Sequence, residues 1–192
     1  AMQCMIERRK GGETGVKQVQ MIEGDDVWKA LDEGRFSRRL LEAALSRSDT
    51  PCGKTDEDGR TQDLLGNGEL PVLVEKPAAY FIEHNDGLKT TLLMLNGAIK
   101  DFCFACEADG EIVSTQFFLS PTPNVTYSAC LVAKIEEMIE TGKAPFPAER
   151  TLIVSGALES CLTSKMKDHK KLETPHLSVL YEAPEESHHA HF

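Results

Sequence analysis

Two Asp-Gly pairs, Asp86-Gly87 and Asp109-Gly110, each stand between segments rich in β-branched and aromatic residues. No other feature constrains the fold as tightly. A two-residue type I′ turn needs positive φ at both central positions, and Asp-Gly supplies it at little cost. The first hairpin spans Ala79 to Leu95 and the second spans Asp101 to Leu119. A two-residue turn at Asp86-Gly87 sets a register in which Phe81 faces Leu92 and Tyr80 faces Leu93 on the opposite side. Apolar pairs on both faces predict a sheet covered on both sides.

The flanks alternate differently. Met2 to Arg9 reads as a helix without an N-cap, the pattern expected of a chain cut inside a helix, and Gly11-Gly12 stops it. Val16 to Ile22 reads as a strand in which Val16 and Val19 break strict alternation. Asp25 or Asp26 caps a short helix ended by Gly34. Ser37 caps another with Leu40, Leu41, Ala44 and Leu45 on one face. Asn124 or Thr126 starts a helix to Thr141 with Val132, Ile135 and Ile139 inward. Pro147 opens the last helix, striped by Leu152, Ile153, Gly156, Ala157 and Cys161, with Lys165, Lys167, Lys170 and Lys171 at or beyond its C-terminal end. His176 to Tyr181 reads as a final strand.

The expectation is an α+β fold: a mainly antiparallel sheet built from the two hairpins plus a C-terminal strand, covered by helices, without an intact Rossmann domain. Residues 1–184 form one domain with a long exposed loop over 48–70, and 185–192 form a flexible tail.

Charge narrows the function. A net charge of −10 disfavours nucleic acid and anionic membrane as partners, since both need a basic face. No apolar run approaches the ~20 residues of a membrane-spanning helix, and Met2 to Arg9 lacks the order of a signal peptide. The six cysteines (Cys4, Cys52, Cys103, Cys106, Cys130 and Cys161) read as buried thiols of a reducing compartment, which points to the cytoplasm.

The short motifs fail on spacing. Gly53-Lys54-Thr55 has Ser48 where a phosphate loop needs its first glycine. Asp56 to Gly59, aligned as a calcium loop, puts Lys54 first and Leu65 twelfth. Cys103 and Cys106 point to opposite faces of a strand, so they cannot share a metal there. His188, His189 and His191 form an exposed tail, and Asn124-Val125-Thr126 is a sequon without consequence in the cytoplasm. No Gly-x-Ser-x-Gly elbow occurs, and His84 and His176 read as strand histidines.

One stretch carries a family resemblance. Lys134 to Pro145 ends in Gly142-Lys143-Ala144-Pro145 and is followed by Pro147-Ala148-Glu149-Arg150 and Gly156 to Ser164. This resembles the C-terminal end of the glucose–fructose oxidoreductase/inositol dehydrogenase (Gfo/Idh/MocA) family, where a helix ending in Gly-Lys/Arg-x-Pro leads to one ending in Ala-x-x-Ser. The Asp86-Gly87 hairpin resembles a strand pair of that family's sheet. Gly11-Gly12 to Val16 resembles the place where its chain leaves the helix after the catalytic motif. The wording Glu7 to Val16 and Thr174-Pro175-His176-Leu177 resembles an uncharacterised bacterial branch of such proteins. Val74-Glu75-Lys76-Pro77 spells the family's Glu-Lys-Pro motif, but a hairpin strand follows it where the family has a helix, so the match is read as coincidence.

The resemblance covers only the C-terminal half of the family's architecture. No Gly-x-Gly-x-x-Gly follows a first strand, and nothing matches the catalytic aspartate and histidine. It therefore implies a substrate-binding and oligomerisation half. NAD or NADP would belong to a complete member and none to this chain, with no metal assigned. Implied partners are a small-molecule substrate, a second copy paired through the sheet, and a separate Rossmann-domain chain. Polar residues at sheet ends, Glu13, Asn96 and His176, would lie nearest the substrate. A stand-alone binding or scaffold module and a small hydrolase with a serine, cysteine or metal site remain as alternatives.

Overall fold

The computed structural model describes residues 1–53, 63–118 and 125–185, apart from the side chain of Tyr127. The acidic Asp56–Gly59 segment, Asn124 of the sequon and the histidine tail lie outside the described residues. Element order is α1 (Met2–Ile6), β1 (Val16–Glu23), α2 (Asp25–Asp32), α3 (Arg38–Leu45), α4 (Leu70–Leu73), β2 (Ala78–His84), β3 (Lys89–Met94), β4 (Phe102–Ala108), β5 (Glu111–Phe117), α5 (Val125–Thr141), α6 (Ala148–Met166) and β6 (Leu172–Glu173), with a 3-10 turn at Pro175–Leu177. This is an α+β fold with antiparallel strand pairing. The two hairpins do not share a sheet, however. β2 and β3 join a four-stranded sheet ordered β3-β2-β1-β6, while β4 and β5 pair only with each other.

β1 is central because its two broken alternations both reach the core. A bulge at Lys17 lets Val16 pair with His84 and Gln18 with Glu83, so Val16 and Val19 are both buried. On one side they meet Ile153, Ala157 and Cys161 of α6, together with Leu177 and Tyr181. On the other side, Ile22 and Ala79 meet Val27 and Ala30 of α2. A further cluster joins Leu31 and Leu41 to Leu70, Val74 and Leu95. Leu64 and Leu65, within the stretch expected as exposed loop, tuck into it.

The first hairpin is one residue out of the expected register. Tyr80 pairs with Leu92 and Phe81 with Thr91. The cause is tertiary. The Asn85 N–H donates to the Gly15 carbonyl (3.0 Å), so His84, not Asn85, pairs across to Leu88 (2.8 Å). Three residues then make the connection, with Gly87 at φ 88°. Thr90, Leu92 and Met94 consequently share the face of α6. The second hairpin does have the two-residue turn, with Asp109 at φ 52° and Gly110 at φ 80°.

Other expectations are corrected similarly. Gly24, not Asp25 or Asp26, is the N-cap of α2, and the two aspartates sit in its first turn. Ser37 does cap α3, accepting from the Leu40 N–H at 3.2 Å. Pro147 is the N-cap of α6, one residue outside it. Leu172–Glu173, not His176–Tyr181, joins the sheet, because Thr174 bonds to Val16 and Lys17 and Pro175 then turns the chain aside. Of the six cysteines, only Cys161 is buried, and all six are unpaired. Val132, Ile135 and Ile139 of α5 are exposed rather than inward, as is Leu152 of α6. No helix among the described residues is long and apolar enough to cross a membrane.

Gly15 is closely enclosed by backbone. Its φ is +87°, and a Cβ there would lie 2.5 Å from the Leu177 carbonyl oxygen and 2.8 Å from the Val179 nitrogen. Gly87 has a similar φ but open space around it. Gly15→Ala is expected to lower the urea midpoint clearly further than Gly87→Ala, whose cost is that of positive φ alone, about 1 kcal/mol. Equal midpoints would show that the Gly15 contact is relaxed.

Candidate functional site

The densest polar cluster lies where α1, the Gly12–Gly15 segment, the end of β2, the start of α6 and Tyr181 meet. Glu13 is its hub. Its Oε1 accepts from the Thr14 N–H (2.9 Å), the Gly15 N–H (2.9 Å) and Arg9 (3.2 Å), and lies 3.0 Å from His84 Nδ1. Its Oε2 accepts from Gln3 (2.7 Å) and Arg9 (3.3 Å). Backbone turning produces this: Gly12 and Gly15, both at positive φ, fold the chain around the carboxylate so that its own neighbours donate to it.

Burial alone would raise the Glu13 pKa. Donors from His84, Arg9 and Gln3 outweigh that and hold its carboxyl far below the usual carboxylate range. Arg9 is held charged in turn. Burial works against it, but Glu13 and Asp86 together raise its pKa, the latter through a 2.6 Å bond from Nε. Since an ionised carboxylate only accepts, His84 donates through Nδ1. His84 Nε2 is buried without a hydrogen-bond partner among the described residues.

A second buried pair abuts the first. Arg150 grips both oxygens of Glu7 in a fork, with Nε to Oε2 at 2.8 Å, and its guanidinium stacks 4.6 Å from the Phe146 ring centre. Burial lowers the Arg150 pKa, yet the Glu7 bonds carry it above its ordinary value. Tyr181 donates to Glu7 at 2.7 Å and accepts from Gln3 at 2.8 Å. Burial first, and then the bond to Glu7, push its phenol up. Gln3 thus bridges the Glu7 and Glu13 clusters.

The three residues expected near a substrate fall in separate places. Glu13 is enclosed, with its oxygens engaged by protein donors. Asn96 is exposed past the far end of β3, roughly 20 Å along β2 from His84 at the usual strand rise, and bridges to Ile99. His176 is exposed on the 3-10 turn, its Nε2 3.5 Å from Ser160 Oγ, at the outer limit of a hydrogen bond. Ser160 itself is buried within α6. Two cysteines make poor nucleophiles: burial, then Asp101, raises the Cys103 pKa to about 12, and burial raises that of Cys161 to about 11. Among the described residues, no group of three or more His, Cys, Asp or Glu is placed to hold a metal.

Gln3, Glu7, Arg9, His84, Arg150 and Tyr181 escape sequence reasoning because their partners lie up to 178 residues apart. The legible trace is Glu13 itself, a carboxylate framed by Gly11-Gly12 and Gly15. Compared with protein-family models, curated proteins and solved structures, the chain matches none.

Glu13 contributes stability that is complete above the ordinary value of 4.5 and is lost as pH falls below it toward the depressed folded value. The thermal midpoint of the wild type is therefore expected to drop on acidification from about pH 4.5 downward, and Glu13→Gln is expected to flatten that drop while lowering the midpoint at pH 7. An identical acid profile in the variant would remove Glu13 from this role. Glu7→Gln or Arg150→Met alone is expected to cost about 3–5 kcal/mol in urea, and the double Glu7→Leu/Arg150→Met less than either.

Proposed function

We propose that this chain is the substrate-binding and assembly half of an NAD(P)-dependent oxidoreductase of the Gfo/Idh/MocA type, acting with a separate dinucleotide-binding domain on a small-molecule substrate in the cytoplasm. The observation that supports it is the clamped junction. In that family, the counterpart of Gly11–Val16 carries the chain from the catalytic motif into the sheet. Here Gln3, Glu7 and Arg9 tie that entry to Glu13, Arg150 and Tyr181, so the sheet registers whatever α1 carries. A separate catalytic domain docked against α1 would keep a fixed position over the sheet, and fixed geometry is what hydride transfer between bound cofactor and substrate requires.

In this role Glu13 positions the junction, while exposed Asn96 and His176 are free to meet solute. Six unpaired thiols suit a reducing compartment. NAD or NADP binds the other half, and turnover needs both.

A thermal-shift titration of the purified chain with NAD, NADP, NADH and NADPH, and separately with glucose and inositol, tests the division. Dinucleotides are expected to leave the midpoint unchanged and a sugar or cyclitol to raise it. A ligand at ~100 times its dissociation constant adds about 2.7 kcal/mol, which is readily visible. A rise with any dinucleotide would place a cofactor site in this chain and overturn the reading.

A further inference from the structure

We infer that this chain forms a two-fold dimer in which α5 of each copy lies along α6 of the other. The inference rests on the assembly role proposed above and places the pairing on these helices instead of the sheet, whose two faces already carry α6 and α2.

Helix α5 is 17 residues long, and none of its described side chains is buried. An isolated helix of that length is marginal in water, so it persists only with an apolar partner. Its apolar positions are not scattered. Leu131, Ile135 and Ile139 recur every four residues, with Ile139 73% and Leu131 63% exposed. Lys134 and Glu136 border that stripe, and Lys134 is paired with Glu137 at 2.6 Å.

Helix α6 has two apolar sides. One packs on β1 through Ile153, Ala157 and Cys161. Its flank toward the 3-10 turn is also occupied, since a Cβ on Gly156 would strike Leu177. The opposite flank carries Val154, Leu158 and Leu162, again every four residues, and all are about half exposed. Met166, four residues beyond Leu162, extends this ridge and is also exposed. Ridges of i, i+4 spacing on two helices interdigitate.

Both ridges belong to one chain, yet within that chain they do not cover each other, since both stand exposed at once. The link between the helices turns at Gly142, at φ +65°, and passes through Pro145 and Pro147. A second copy supplies both complements, α5 onto α6 and α6 onto α5, which is the self-complementarity of an isologous interface. The six ridge residues are each 43–73% exposed on every copy, apolar surface of the kind that a standard interface of ~800 Å² per partner covers.

Sedimentation equilibrium between 1 and 100 µM, on the order of ordinary dimer dissociation constants, tests this with two surface variants, Ile135→Glu and Leu158→Lys. The wild type is expected at twice the chain mass, and each variant alone at the chain mass with an unchanged circular-dichroism spectrum. An equimolar mixture of the two is expected to regain the doubled mass, because one contact then pairs glutamate with lysine and the other is wild type. A wild-type monomer throughout, a dimer indifferent to both substitutions, or a mixture that stays monomeric would each overturn the inference. Mass is read without ligand, so a failed sugar or dinucleotide titration leaves this result separately interpretable.

Discussion

A carboxylate with no access to solvent holds the described fold together at one end. Glu13 lies where α1, the entry to β1, the first hairpin turn and the C-terminal segment converge, and its ionised form is kept there by donors from Gln3, Arg9, Thr14 and Gly15, with His84 alongside. Burying a charge costs several kcal/mol unless it is compensated, so the compensating groups must occupy their places for the region to exist at all. That requirement converts a chemical need into geometry. Arg9 reaches on to Asp86, and Asn85 donates to Gly15, so the turn of the hairpin is set by the Glu13 segment as much as by its own residues.

The other end of the molecule is built differently. The β4–β5 hairpin has no buried side chain in either strand and is held through α3 and a polar hub at Asp101, whose Oδ2 accepts from Ser48, Thr50 and Gln116. Hydrogen bonds of this half-exposed kind contribute about 1 kcal/mol each, far less than a packed core layer. The described structure thus grades from an ionic and apolar core around β1 and α6 to a loosely supported hairpin and a helix with no buried side chain among those described.

His84 is the last residue of β2, buried, and bonded on one side only. Its ring lies buried beside the carboxylate, with Nδ1 3.0 Å from Glu13 Oε1.

Local signals carried well in this sequence. Asp-Gly turns between β-rich runs, Ser37 before an amphipathic helix, Gly34 and Gly142 after helices, and valines crowded at Val16 and Val19 each act through contacts within a few residues, so composition alone locates both hairpins, the strand β1 and the long helices. What the residues could not say concerns partners far along the chain. The register of the first hairpin moved by one because Asn85 bonds to Gly15. The last sheet strand is Leu172–Glu173 because Thr174 bonds to β1. Glu7 meets Arg150 across 143 residues. The inward face assigned to α5 failed for the same reason: periodicity shows that a helix has an apolar stripe, whereas only the packing of the whole chain decides whether anything lies against it.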